Sequence, residues 1–129
     1  MESIPLQSES VGITMNAFVM RNVKKIMGSV LPEIYRVTAP GGKAFFLDMY
    51  VPTHALIRFF HRIYLKTFLP VVGRVVFGVN WSGGYLAQTI FNFGHPQEFS
   101  ELLIKAGFKQ VNFKPFYGGM AVLHSAVKQ

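Results

Sequence analysis

Few side chains in this sequence could do chemistry, and they fall at particular places. Arg21-Asn22 follows an apolar run, Asp48 closes another, and histidines stand at 54, 61, 95 and 124. No cysteine is present, which removes a thiolate nucleophile, a thiolate zinc site and a disulfide framework. His54 and His61 are seven apart, with no His-x-x-x-His pair and no carboxylate cluster beside them, so no metal site is expected. Polar groups at the carboxyl end of a strand in an open α/β sheet face the ligand crevice, which gives Arg21 and Asn22 a functional reading. A loop with a helix cap explains the same two residues equally well. Asp48 is either a crevice carboxylate or the cap of the helix that follows, and the cap is the expected role.

The elements that must position these groups are organised around Glu33 to Asp48. This stretch reads as a helix end, a Pro40-Gly41-Gly42 turn, and an apolar strand from Lys43 to Asp48. An apolar run without alternation belongs inside a layered α/β sheet. Upstream, residues 11–19 read as a strand, and Lys24 to Thr38 has helical apolar spacing at 26, 30, 31, 34 and 37. Pro32 inside that segment should kink or break it. Thr53 to Leu69 carries a basic stripe at His54, Arg58, His61, Arg62 and Lys66, opposite Leu56, Phe59, Phe60, Ile63 and Tyr64. It is read as a solvated surface helix, a membrane-interface helix or a lid over an apolar ligand. The apolar run from Phe68 to Val79 is broken by Pro70 and Gly73. Helices are expected over 85–91 and from Pro96 to Ala106-Gly107, followed by an antiparallel hairpin of 108–116 and 119–128 joined at Tyr117-Gly118-Gly119.

At 129 residues the chain suits one domain, 1–129, with a lid or amphipathic region at about 53–92. Half of its residues are hydrophobic and only 15% are charged, so its surface must be unusually apolar and calls for a partner, a lipid-like ligand or a membrane face. The formal net charge of +7 is compatible with nucleic acid, anionic lipid or an acidic partner. Nucleic acid is not favoured, because the basic residues interleave with the lid helix and no RNA-binding motif occurs. The first ten residues lack the basic start and apolar core of a signal peptide, and no apolar run is long enough to span a bilayer.

Several short stretches occur in a familiar order. Arg21-Asn22-Val23, Glu33-Ile-Tyr-Arg36-Val37, Pro40-Gly41-Gly42-Lys43, Tyr85-Leu-Ala-Gln-Thr-Ile90, Ala106-Gly107-Phe108 and Gly118-Gly119-Met-Ala-Val-Leu-His124 with Lys128 resemble the ubiquinone/menaquinone C-methyltransferases. Nearly the whole chain takes part, and it resembles the carboxyl-terminal half of that family. The resemblance implies an α/β fold: a partial class I methyltransferase (Rossmann-like) sheet, with strands equivalent to 4-5-7-6, an antiparallel C-terminal hairpin and inserted lid helices. It implies that Arg21 and Asn22 border the reacting quinol precursor, with Asp48, Tyr85 and His124 also on the substrate side. Ala17 and Phe18 would form a residual wall of the site for S-adenosylmethionine (SAM). Arg58, Arg62 and Lys66 would face a membrane or a partner.

The family's SAM site is built mainly by an amino-terminal half, with a Gly-rich loop and a ribose-binding acid, so SAM is expected here only if a partner supplies that half. Four departures from the family pattern stand out: Val11-Gly12 in place of Phe-Asp, Pro32 before Glu33, Gly83 where an aromatic residue is usual, and Asp48 in place of the family's Glu at the end of the fifth strand. The reading that follows is a non-catalytic structural or assembly subunit of a larger complex. The alternatives are one half of a split C-methyltransferase, in which the Arg21 charge favours a phenolate, and a lipid- or quinone-binding module. Strand 11–19 is then an exposed sheet edge that needs a protein partner or a second copy. The resemblance also implies a membrane-associated location: the matrix side of the mitochondrial inner membrane in a eukaryote, the cytoplasmic membrane face in a bacterium.

Overall fold

The computed structural model describes residues 3–78 and 84–129. Strand β1 (Val11–Ala17) leads through a 3-10 turn (Lys24–Ile26) into helix α1 (Met27–Val37), and strand β2 (Thr38–Met49) follows at once. Helix α2 (Ala55–Ile63), a wide π turn (Tyr64–Phe68) and helix α3 (Leu69–Phe77) run on from one another. Helices α4 (Gly84–Phe93) and α5 (Pro96–Lys105) precede β3 (Lys109–Phe116) and β4 (Ala121–Val127). The sheet order is β1-β2-β4-β3, with β1 parallel to β2 and the other two pairings antiparallel. This is the order expected from the resemblance, with the C-terminal hairpin in place.

The corner at Pro40-Gly41-Gly42 differs from its reading as a helix-ending turn. Helix α1 already stops at Val37, where the Thr38 hydroxyl donates to the Ile34 carbonyl at 2.7 Å and takes the chain into extended backbone. The Pro-Gly-Gly segment is a bulge inside β2, lying between the Val11↔Thr38 and Ile13↔Lys43 pairings. Gly41 has φ +76, and a Cβ on Gly42 would lie 2.7 Å from the Ala39 carbonyl oxygen, so neither position accepts a larger residue without movement. The two backbone hydrogen bonds from this bulge to Lys128 tie it to the end of β4.

Neither proline breaks its helix. The missing N–H of Pro32 would have met the carbonyl of Gly28, which lies exposed near the start of α1, so the loss is confined to one solvated position. Pro70 falls in the first turn of α3, immediately after the π turn, whose wider hydrogen-bonding already displaces the regular ladder. Residues 55–77 therefore form one path of helical turns rather than a helix and a broken run. Ile57, His61, Leu65, Leu69 and Gly73 lie on its packed side. His61 thus leaves the basic stripe in which the sequence placed it: it is buried, and burial lowers its pKa.

Burial is one-sided. Ala44 and Phe46 of β2 and Tyr50 just after it, with Val122 and Ala126 of β4, form one core with Met27, Val30, Leu31 and Ile34 of α1 and with Phe99 and Leu103 of α5. Both helices therefore cover the same face of the sheet. On the opposite face Phe45, Leu47 and Met49 are only partly buried, while Ile13 and Met15 of β1 are 59% and 78% exposed. This corrects the expectation of a strand enclosed on both sides. A second, smaller core of Leu65, Ala87 and Ile90 packs α4 and the π turn against Met49 and Val51, at the carboxyl end of β2.

The two sheet edges also differ. Edge strand β3 carries Lys109, Lys114 and Pro115, with a register shift between Lys109 and Asn112, all features that discourage further pairing. Edge strand β1, VGITMNA, has no charge and no proline.

The amino-terminal segment is held at Glu9 by a 3.3 Å ion pair with Lys128 and at Ile4 and Leu6 by the Arg36–Glu33 pair. Arg36 donates to Glu33 at 2.6 and 2.9 Å and reaches the carbonyls of Ile4 and Leu6, while Glu33 accepts the Ile4 N–H at 2.8 Å. The Arg36 side chain, aided by that N–H, holds the Glu33 carboxyl at about 2, below its ordinary 4.5. A depressed acid stabilises the fold above its unfolded value and loses that contribution as pH falls. The Ile4 amide should therefore lose exchange protection as pH drops from about 4.5 to about 2, read by NMR hydrogen exchange; constant protection over that range contradicts it. A second expectation concerns Gly118, at φ +68, where a Cβ would lie 2.7 Å from Cδ1 of Ile57. Gly118→Val should cost about 1–3 kcal/mol and speed exchange across α2, measured by thermal unfolding and exchange mass spectrometry. An unchanged Tm would show that α2 does not dock there.

Candidate functional site

The site begins where β1 ends. Phe18 takes φ +59, a left-handed conformation that a residue with a side chain adopts only when its surroundings hold it there. Its N–H donates to the Leu47 carbonyl at 2.8 Å, continuing the pairing with β2. The turn aims its own carbonyl at the next two polar side chains, and both Nη1 of Arg21 and Nδ2 of Asn22 donate to it at 3.2 Å.

Asp48, at the end of β2, faces this turn. It accepts the Arg21 backbone N–H at 3.1 Å, Arg21 Nη1 at 2.7 Å and the Met49 N–H at 2.8 Å. The two side chains are 10% and 3% exposed, so the pair is largely withdrawn from water. Asp48 is thus a buried carboxylate that clamps adjacent strand ends and stands behind the cleft rather than in its lining. It does not cap the next helix, since α2 begins at Ala55 after His54 with no side-chain cap. The pairing also changes the reading of Arg21. Its charge is already matched by Asp48 and its Nη1 is committed, while the Nε–H is buried without a partner among the described residues. What Arg21 offers a ligand is a fixed set of N–H donors rather than an unopposed charge.

A cleft of about 370 Å³ adjoins this turn. Arg21, Asn22, Lys24 and Lys25 line one side. Helix α4 supplies Tyr85, Gln88, Thr89 and Asn92 on the other, at the spacing of a single helix face. The Tyr85 hydroxyl donates to Oδ1 of Asn22 at 3.3 Å, and Nζ of Lys24 donates to the Asn92 carbonyl, so both walls are tied together. The structure therefore brings Arg21, Asn22, Asp48 and Tyr85 into one place. Lys24, Lys25, Gln88, Thr89 and Asn92 were not singled out by the sequence; the polar stripe at 85, 88, 89 and 92 was the available signal. The cleft is cationic and amide-rich, suited to a ligand with oxygen acceptors.

His124 lies elsewhere. It is 1% exposed on β4, with Nε2 2.9 Å from the Pro96 carbonyl and its ring edge-on to Phe99 at 4.9 Å. Burial lowers its pKa against the opposing effect of that hydrogen bond, so it serves as a neutral packed donor in the core rather than as a cleft residue. Ala17 and Phe18 are exposed at the end of β1. Neither β1 nor β2 is followed by glycine: the chain turns at Phe18 after one and at Tyr50 after the other. The described residues thus offer a wall beside β1 but no glycine loop through which a backbone could approach a nucleoside cofactor. Among the described residues no group of three His, Asp or Glu is placed to hold a metal ion. Asp48→Ala should cost about 3 kcal/mol in urea unfolding, because it strands a buried guanidinium, and adding Arg21→Met should recover part of the loss. A cost below about 1 kcal/mol would class the pair with surface salt bridges.

The ubiE/COQ5 methyltransferase family model matches residues 1–128. A ubiquinone/menaquinone biosynthesis C-methyltransferase of Rickettsia bellii is 32% identical over 127 residues, covering 98% of this chain and 51% of that protein. A demethylmenaquinone methyltransferase of Alkalihalophilus pseudofirmus is 30% identical over 125 residues, 97% of this chain and 52% of that one. A mitochondrial 2-methoxy-6-polyprenyl-1,4-benzoquinol methylase of Dictyostelium discoideum is 32% identical, with 98% of this chain matched to 40% of that one. The chain thus spans about half the length of the curated relatives it matches, or less. Among solved structures, a SAM-dependent methyltransferase of Thermotoga maritima superposes with a TM-score of 0.67 at 18% identity, covering 99% of this chain and 61% of that one. One of Aquifex aeolicus gives a TM-score of 0.60 at 15% identity, covering 99% and 51%. These two share the fold, the α/β sheet of class I SAM-dependent methyltransferases. On the family match and the coverage of its relatives together, this chain belongs to the ubiE/COQ5 methyltransferase family.

Proposed function

We propose that the chain is the acceptor side of a SAM-dependent C-methyltransferase, working together with donor-side residues that it does not span, carried on the same or on another polypeptide. The observation that carries this reading is the pairing of an intact polar cleft with an uncovered sheet. Arg21, Asn22, Asp48 and Tyr85 are joined by hydrogen bonds, while the β1 edge and the Ile13–Met15 face lie open beside them. The β1–β2 pairing is parallel, strands paired in that way are normally covered on both faces, and a donor-side half would cover the open one.

The relatives' names point to a polyprenyl quinol precursor as acceptor. SAM supplies a methyl group on a positively charged sulfur. The residues of this chain hold the acceptor: Asp48 fixes the guanidinium of Arg21, whose free N–H groups steady a phenolic oxygen as it gains negative charge, and Asn22 with Tyr85 limits how the ring can turn. Lys24 and Lys25 add net positive charge along the same wall.

The second reading is the non-catalytic subunit. It drew on Gly12, Pro32 and Gly83, and the first two do not disturb the site: Gly12 has open space around its Cα, and α1 runs through Pro32. Gly83 lies outside the described residues. A mitochondrial location for this chain, as in the relative so named, belongs to the same proposal. The test is calorimetric titration with SAM, of the chain alone and after mixing with a purified donor-side half. We expect no heat from the chain alone, and stoichiometric binding with methyl transfer to a demethylated quinol from the mixture. Tight one-to-one binding by the chain alone overturns the proposal. A mixture that binds SAM but transfers no methyl group favours the non-catalytic subunit.

A further inference from the structure

The helical path 55–77 packs through the wrong face for an ordinary amphipathic helix. A helix docks through its most apolar stripe when the protein core is the only apolar phase available. Here the packed residues Ile57, His61 and Leu65 include a histidine. Leu56, Phe59, Phe60 and Ile63, which fall within an arc of about 100° on α2, are 59%, 58%, 61% and 44% exposed. Val71 and Val75 of α3 continue the exposed apolar surface at 61% and 82%. Aromatic and aliphatic side chains of this size stand in water only at a cost that burial elsewhere would remove.

The flank of this ridge identifies what it meets. From residue 49 to residue 97 the sequence contains Arg58, Arg62, Lys66 and Arg74 and no Asp or Glu. Arg62 and Lys66 lie 5.5 and 5.9 Å from the centre of the Phe91 ring, which holds them to one side of the ridge. Beside them a cleft of about 580 Å³ is lined by Arg58, Phe59, Arg62 and His95. An apolar ridge bordered on one side by cations, with a basic recess at headgroup scale, matches the interfacial zone of a bilayer carrying anionic lipid. A second copy docked by two-fold symmetry would set this acid-free segment against itself and bring cations together, so self-association is the poorer match. Among the described residues no helix is long and apolar enough to cross a membrane, so the path would lie in the interface rather than span it. We propose that the 55–77 path docks this protein on an anionic lipid surface, with Phe59, Phe60 and Ile63 entering the acyl boundary and Arg58 and Arg62 pairing with lipid phosphates. This does not rest on methyl transfer.

The experiment is co-sedimentation of the full chain with vesicles of phosphatidylcholine, with and without a minority of phosphatidylglycerol. The chain should bind the anionic vesicles and release as salt rises. Arg58→Gln with Arg62→Gln should weaken binding about tenfold or more. Phe59→Ser with Phe60→Ser should abolish it, and Met15→Ser, on the bare sheet face, should leave it unchanged. All five positions are exposed, and circular dichroism checks that each variant is folded. Absence of binding to anionic vesicles overturns the proposal. So does equal loss from Met15→Ser, which would mark general adhesion, and so does a dimer that the phenylalanine pair disrupts while vesicle binding is missing.

Discussion

Core formation on one face of the sheet is the constraint from which the rest follows. Ala44 and Phe46 of β2, with Tyr50 just beyond it, join the core with α1 and α5, whereas Phe45 and Leu47, which alternate with them, are only partly buried. Because α1 and α5 both pack on that side, the chain gains a continuous core at the expense of leaving its other face in water. The carboxyl ends of β1 and β2 are joined to each other by the Arg21–Asp48 pair, beside the small core that α4 and the π turn form on Met49 and Val51. The cleft residues inherit their positions from that clamp.

Much of this was legible in the sequence because it depended on local chemistry. Pro96 and Gly107 bracket α5, the hairpin turns at Tyr117-Gly118-Gly119, and β1 and the 43–48 part of β2 follow their apolar runs, although β2 itself begins five residues earlier, at Thr38. What could not be read depended on which side of an element met the core. The sequence of 54–66 gives a clean basic stripe, yet His61 belongs to the packed side, since the contact of α2 with Gly118 and the π turn at 64–68 set its rotation. Asp48 shows the same limit. Its place before a helix suggested a cap, but the left-handed turn at Phe18, some thirty positions away in sequence, brings Arg21 within reach of it. Pro32 and Pro70 were misleading for a different reason: their cost depends on which carbonyl loses its partner, and at Gly28 that carbonyl is solvated.

The two proposed surfaces are coupled by position. Helix α4 lines the polar cleft with Tyr85 and Gln88, and through Ala87 and Ile90 it packs on Leu65 of the 55–77 path. A displacement of that path would therefore reach the cleft through a few apolar contacts rather than through the sheet. An acceptor with a long apolar tail and a polar ring would meet both surfaces of the same module.

The contrast between the two edge strands has a further consequence for assembly. A sheet with two receptive edges can add strands at both, and such addition need not stop. With β3 blunted by Lys109, Lys114 and Pro115, this sheet can grow only past β1. Growth in one direction ends with the first strand whose own outer edge is closed. Any such strand addition would stop at a finite pair rather than run on to a fibre, a limit set by the difference between the two edges.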